Sequence, residues 1–437
     1  MKTFLQPLQN LAEMEEIQKQ AKKNRGILEI SGCMESQKAH LMYGLSGLFP
    51  CHLVIAADEK SAKELYEDYR FYDKRVYYYP AKDLLFFQAD IHGNLLIRQR
   101  MQVIRALLER EDEITVVTSI DGCMDYLAPL EKIEKQLIHF RNDSTLDMDK
   151  LTAALVHMGY ERVGQVEMPG QFSIRGGIID IYSLTEENPW RIELWGDEID
   201  SIRSFDAQSQ RSLENLDDVT IYPAAEQPME KNGVSFLDYF KETETLFFLD
   251  ELNHLEENAK AVQEEFQQSC ENRKEKGEIS LSGDWMCTWE ELCHKINDRN
   301  CVAMSLLDPK KSNWKISGQF NITVKSMSSY QSSFELLVKD LKQYKKEEYQ
   351  IVLLSGSRTR AERLAKDLQE EGLNAFYGQD SDRILQPGEI MVAYGHARRG
   401  FEYPLVKFAV ITETDIFGKE QKKRKKKKEY NGKRIQD

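Results

Sequence analysis

GILEISGCMESQKAHLMYGLS, residues 26–46, sets a short apolar run ahead of a glycine turn and a helix-like stretch. Strand, turn and helix in that order are the setting of a phosphate-binding loop, whose pattern is G-x-x-x-x-G-K-[ST]. Gly32 and Lys38 fall on their places in it. Gln37 stands where the second glycine belongs, and Ala39 where the hydroxyl belongs. In a working loop, backbone N–H groups and the lysine cradle phosphates while a Ser or Thr holds Mg²⁺. Gln37 brings a Cβ to a position that needs glycine's freedom. Ala39 removes the metal ligand, and Glu35 sets a carboxylate against polyphosphate. Together the three departures favour a strand-to-helix turn over a nucleotide site. One signal runs the other way: in FFLDELNH (247–254), Asp250 and Glu251 follow an apolar strand as a Walker B pair would. The alternative, which the broken loop favours, is that Asp250 caps a helix and Glu251 suits its first turn.

Outward from this stretch the chain alternates. Strands are expected at 27–31, 52–58, 75–80 and 113–120, separated by helical segments, which argues a parallel sheet covered on both faces. Ahead of them, Leu5, Leu8, Leu11, Met14 and Ile17 predict one helix over 1–24. Between about 125 and 215 the pattern changes to short strands with glycine turns, a mostly antiparallel α+β module. The earlier style returns at VTIYPAAE (219–226) and LFFLDELNHLEENAKAVQEEF (246–266), as if the module were inserted. A second α/β unit begins near 331. The expected divisions are an α/β lobe, first part (1–125), the inserted module (126–213), the lobe's second part (214–330), a third α/β domain (331–418) and a basic linker (419–437).

The net charge of −14 hides an asymmetry: residues 419–434 hold ten Lys or Arg against two Glu. The rest of the chain is therefore strongly acidic and a poor general binder of duplex phosphates. That run reads first as a solvated linker, with nucleic-acid binding as the competing reading. Seven cysteines, an odd number without a C-x-x-C pair, read as reduced thiols. Cys287, Cys293 and His294 lack a fourth ligand at zinc spacing. Neither a signal peptide nor a membrane span is expected, and the chain is placed in the cytoplasm.

The segment GQFSIRGGIIDIYSLTEENPWRIELWGDEIDSIRSFDAQSQRS (170–212) resembles the module shared by the nucleotide-excision-repair protein UvrB and the bacterial transcription-repair coupling factors. Its marks are F-S-I-R-G, then R-I-E, then G-D-E-I-D-S-I-R-S-F-D, then Q-R-S. The broken loop, a stretch after Tyr77-Tyr78-Tyr79 too short for UvrB's aromatic hairpin, and VITETDIFG (410–418) before a basic run favour the coupling-factor branch. The resemblance implies an α/β fold: a degenerate RecA- or helicase-like parallel-sheet lobe with an inserted α+β UvrA-binding module, then a second α/β domain. It implies an adaptor that recruits UvrA to stalled RNA polymerase. ATP, Mg, polymerase and DNA would be used by regions beyond Asp437, so the chain reads as the N-terminal part of a longer protein.

UvrB's UvrA-contacting residues align with Arg162, Arg175, Arg191 and Glu193, while a further UvrB arginine aligns with Ser173. Strand alternation agrees in part. In WRIELW (190–195), Ile192 and Leu194 share one face and Arg191, Glu193 and Trp195 the other. In FSIR (172–175), Ser173 and Arg175 face away from Phe172 and Ile174. The polar face has hot-spot composition, or it is a solvated face of cross-strand ion pairs with Trp195 in the core. The alternative to the adaptor is a nucleotide-hydrolysing, helicase-like or DNA-binding repair protein using Lys38, Asp250 and Glu251.

Overall fold

The computed structural model describes residues 1–23, 25–82, 94–111, 113–226, 233–276, 286–307, 314–378 and 382–418. Most of the short stretch after Tyr79 and the whole basic run at 419–437 lie outside them. The chain forms two compact units, Met1–Val324 and Lys325–Asp437.

The first unit is built on a seven-stranded sheet. Its order is Ile316–Asn321, Gly26–Ser31, Asn300–Ser305, Thr245–Asp250, Cys51–Ala56, Ile114–Ser119 and Val76–Tyr79, and every pairing is parallel. Gly26–Ser31, Thr245–Asp250 and Ile114–Ser119 are buried along their whole length, as expected of strands covered on both faces. Thr245–Asp250 lies between Cys51–Ala56 and Asn300–Ser305. The centre of the sheet is therefore completed only by chain that follows the α+β module, and the module is an insertion. It consists of the helix Met148–His157 and a six-stranded sheet ordered Ser212–Leu216, Glu198–Phe205, Trp190–Trp195, Ile178–Ile181, Gln171–Arg175 and Glu161–Arg162. A two-stranded ribbon, Ile138–Arg141 with Asp218–Ile221, joins its ends. Its apolar face (Phe172, Ile179, Ile181, Trp190, Ile192) belongs to one continuous core with the lobe.

The single helix expected over 1–24 is two, Lys2–Gln9 and Met14–Lys23. An apolar repeat of three drifts about 60° per step around a 3.6-residue helix, so one helix could not bury the whole series. The turn between them lets Leu8, Leu11, Met14 and Ile17 all reach the core. Gly44 permits the packing, because a Cβ there would lie 2.4 Å from Leu8 Cδ1 and 3.0 Å from Met14 Cε.

The second unit carries a mixed six-stranded sheet ordered Lys325–Ser326, Phe401–Tyr403, Phe408–Thr412, Gln350–Ser355, Ile390–Tyr394 and Ala375–Tyr377. The last four strands are parallel and the first two add antiparallel. Because Lys325–Ser326 pairs with Phe401–Tyr403, this unit starts six residues before the 331 read from the sequence. Among the described residues no helix is long and apolar enough to cross a membrane.

Candidate functional site

The loop after Gly26–Ser31 is occupied by the protein itself. Gly32 N–H donates to the Leu306 carbonyl (3.3 Å) and Cys33 N–H to that of Ser305 (3.0 Å). Met34 N–H donates to Gln37 Oε1 (3.1 Å), so the residue that replaces the second glycine uses an amide of the loop. Gly32 has φ +82°, and a Cβ there would lie 2.1 Å from the Ile322 carbonyl oxygen. Its glycine is explained by the close pass of that chain, with no phosphate required.

Lys38, on the helix Glu35–Ser46, donates to Asp250 Oδ1 and to Glu251 Oε1, both at 2.6 Å. Its side chain is 8% exposed. Burial works against the ammonium, but the two carboxylates outweigh it and hold its pKa above the ordinary value. Burial pushes the Asp250 carboxyl up, with Lys38 pulling the other way. A phosphate entering here would have to displace both carboxylates and would then face them. The sequence expectation for Asp250 is corrected: it ends the strand Thr245–Asp250 and caps nothing. The helix Leu252–Glu275 has Glu251 at its N-cap, in the left-handed region with no side-chain cap bond. The Glu251 carboxylate accepts from Lys38 and from Leu306 N–H (3.0 Å) instead.

A second constellation lies on the polar face of the module's sheet. Register places Ser173 opposite Asp180, and Asp180 opposite Arg191. The Asp180 carboxylate is 1% exposed. It accepts from Arg175 Nη2 (2.8 Å) and from Arg191 through Nε (2.7 Å) and Nη2 (2.9 Å). Arg191 also donates to Gln210 Oε1 (2.9 Å) and lies 4.4 Å from the centre of the Phe205 ring. The Arg191 guanidinium is thus held along its edge and over one face, and Arg175, half exposed, stands beside it. Glu193 accepts from Arg203 and from Ser201 Oγ. Trp195, at the end of its strand, is 83% exposed, so it is on the surface and outside the core.

The fold therefore brings Arg175 and Arg191 onto one carboxylate, with Glu193 two residues along the same strand. Arg162 is exposed on the short edge strand, opposite Phe172, and falls out of the row that runs Ser173, Asp180, Arg191. Ser173 departs from the expected open face: it is buried, its hydroxyl donating to the Gly164 carbonyl (2.9 Å), because 163–169 folds across that end. Asp180, the centre of the network, was missed. Its signal was an Asp inside the otherwise apolar strand IIDI (178–181).

These features define a UvrB-related interaction module carried on a parallel α/β lobe whose strand-to-helix turn after Ser31 is tied to its own chain. The family described as UvrB interaction domain matches residues 138–226, which contain this face. Over nearly its whole length the chain is homologous to transcription-repair-coupling factors. It is 30% identical to that of Bacillus subtilis (strain 168) over 93% of this chain and 40% of the relative. It is 26% identical to that of Staphylococcus haemolyticus (strain JCSC1435) over 80% of this chain and 34% of the relative. The chain thus spans about two fifths or less of the length of these relatives.

Proposed function

We propose that the chain is a non-catalytic adaptor whose inserted module binds UvrA through the face carrying Arg175, Arg191, Glu193 and Trp195, with Arg162 at its edge. The observation that carries this reading is the pair of arginines held on buried Asp180, with an exposed tryptophan four residues along the strand from Arg191, within the segment matched as a UvrB interaction domain. Arginine and tryptophan dominate binding energies where they are pre-positioned, since less side-chain entropy is lost on association. In the longer relatives such a module would bring UvrA to RNA polymerase stalled on damaged DNA, in the cytoplasm. No nucleotide or metal is needed for this role, which agrees with the engagement of Lys38 by Asp250 and Glu251.

Calorimetric titration of UvrA into the whole chain tests it. Arg175→Ala combined with Trp195→Ala is expected to weaken binding by about thirtyfold or more, the effect of losing a hot spot. The circular dichroism spectrum should stay unchanged, because both side chains are largely outside the core. Wild-type affinity in that double variant would refute the assignment. The competing hydrolase reading requires ATP turnover by the wild type that Lys38→Ala abolishes.

A further inference from the structure

The second unit carries a basic edge outside the carboxyl ends of two of its parallel strands. Gln350–Ser355 and Ile390–Tyr394 are adjacent and parallel, with Ser355 opposite Tyr394. After Ser355 the chain runs through the helix Arg358–Glu370 to Ala375–Tyr377 on one side. After Tyr394 it runs through 395–400 to Phe401–Tyr403 and Phe408–Thr412 on the other. The start of that helix carries Arg358 and Arg360, and the loop 395–400 carries His396, Arg398 and Arg399, in a chain whose net charge is −14.

One aromatic stands at this edge. Tyr394 is 54% exposed, and the Arg358 guanidinium lies 5.6 Å from the centre of its ring. The loop behind it is tied down. The buried Asp415 carboxylate accepts from Gly400 N–H (2.7 Å), Thr412 N–H (2.9 Å) and Thr412 Oγ1 (2.7 Å). Gly400 has no room for a Cβ, which would lie 2.4 Å from the Val410 carbonyl oxygen. One carboxylate limits the positive field: Glu413 accepts from Ser355 Oγ (2.7 Å) and from Arg360 Nη1 (3.3 Å).

We propose that this edge of the second unit binds single-stranded nucleic acid, with Tyr394 stacking on a base and Arg358 meeting the adjoining phosphate. An exposed ring at a strand end, with a cation over it and a tied-down loop after it, is the arrangement that sequence-tolerant single-strand binding uses. The acidic remainder of the protein confines binding to this edge. Glu413 is a brake on the site: it engages Arg360 and repels phosphate.

The test is fluorescence anisotropy of a labelled oligothymidylate titrated with the whole chain at several salt concentrations. Binding by the wild type should weaken with salt. Arg358→Ala with Tyr394→Ala should weaken it roughly tenfold or more, with an unchanged circular dichroism spectrum. Glu413→Gln should tighten it. A duplex of the same length should bind less well, because Tyr394 stacks only on an unpaired base. No binding by the wild type, or equal preference for duplex, would overturn the proposal. So would wild-type affinity in the double variant together with loss on replacing the lysines of 422–428 by glutamine, which would assign binding to that run alone.

Discussion

Lys38→Met is expected to destabilise the first unit by about 3–5 kcal/mol, the usual effect of removing one partner from a buried ion pair. Methionine keeps most of the side-chain volume but leaves Asp250, nearly buried, facing Glu251 with no cation between them. Urea unfolding followed by far-ultraviolet circular dichroism would measure the loss as a lower midpoint. The triple variant Lys38→Met, Asp250→Asn, Glu251→Gln separates this from a packing effect. Replacing every charged member of a buried pair is often close to neutral, and the amide oxygen introduced by Glu251→Gln still accepts from Leu306 N–H. The triple variant should therefore recover most of the stability. A single variant as stable as the wild type would show that the carboxylates do not depend on Lys38, and the closed-loop reading would fail with it.

The second large effect is expected at Arg100, whose side chain is fully buried. It donates to Asp125 Oδ2 (2.9 Å), Glu226 Oε1 (2.5 Å) and the Pro80 carbonyl (2.9 Å), and its guanidinium lies 4.3 Å from the centre of the Tyr79 ring. Asp125 and Glu226 flank the two ends of the inserted module, so one arginine of the lobe holds both of its connections. Arg100→Met should cost about 3–5 kcal/mol and should speed amide exchange first around 121–127 and 222–226. Uniform acceleration across the unit would argue against a local clamp.

The same cluster gives an acid dependence. Burial would raise the Glu226 carboxyl, but Arg100 and Lys82 outweigh burial and hold it down at about 2. A carboxyl lowered on folding stabilises the native state above its unfolded value, here 4.5, and that stability is lost as pH falls toward about 2. Burial raises the Asp125 carboxyl, with Arg100 opposing, so Asp125 works in the contrary sense. The wild type should lose more stability than Arg100→Met over that window, measured as urea midpoints against pH.

The polar face was only half legible. Period-two alternation through 190–195 separated Arg191 and Glu193 from Ile192, and the burial of the strand follows it. Alternation gives the side of a strand and says nothing about what lies above it, so the burial of Ser173 under 163–169 was invisible. Asp180 could be seen as an oddity in an apolar strand, but its two arginines come from positions 5 residues before and 11 after it. Only the register of three strands joins them. The failure at 1–24 was of another kind: the apolar spacing was read correctly, but a repeat of three does not close on a helix of 3.6.

By itself the sequence determined the class of the protein: a parallel α/β lobe interrupted by a strand-rich module, followed by a second α/β unit, with a strand-to-helix turn that lacks the second glycine and the hydroxyl of a phosphate-loop pattern. These follow from periodicity and from single residue types, which act within a few positions of themselves. The tertiary structure alone decided what the remaining charges do. Lys38 finds Asp250 and Glu251 more than two hundred residues away, and Arg100 finds Glu226 across the whole insertion. Charges so far apart in sequence are solvated and independent in the unfolded chain. They become partners only when sheet order fixes their distance and burial removes the water that would otherwise screen them.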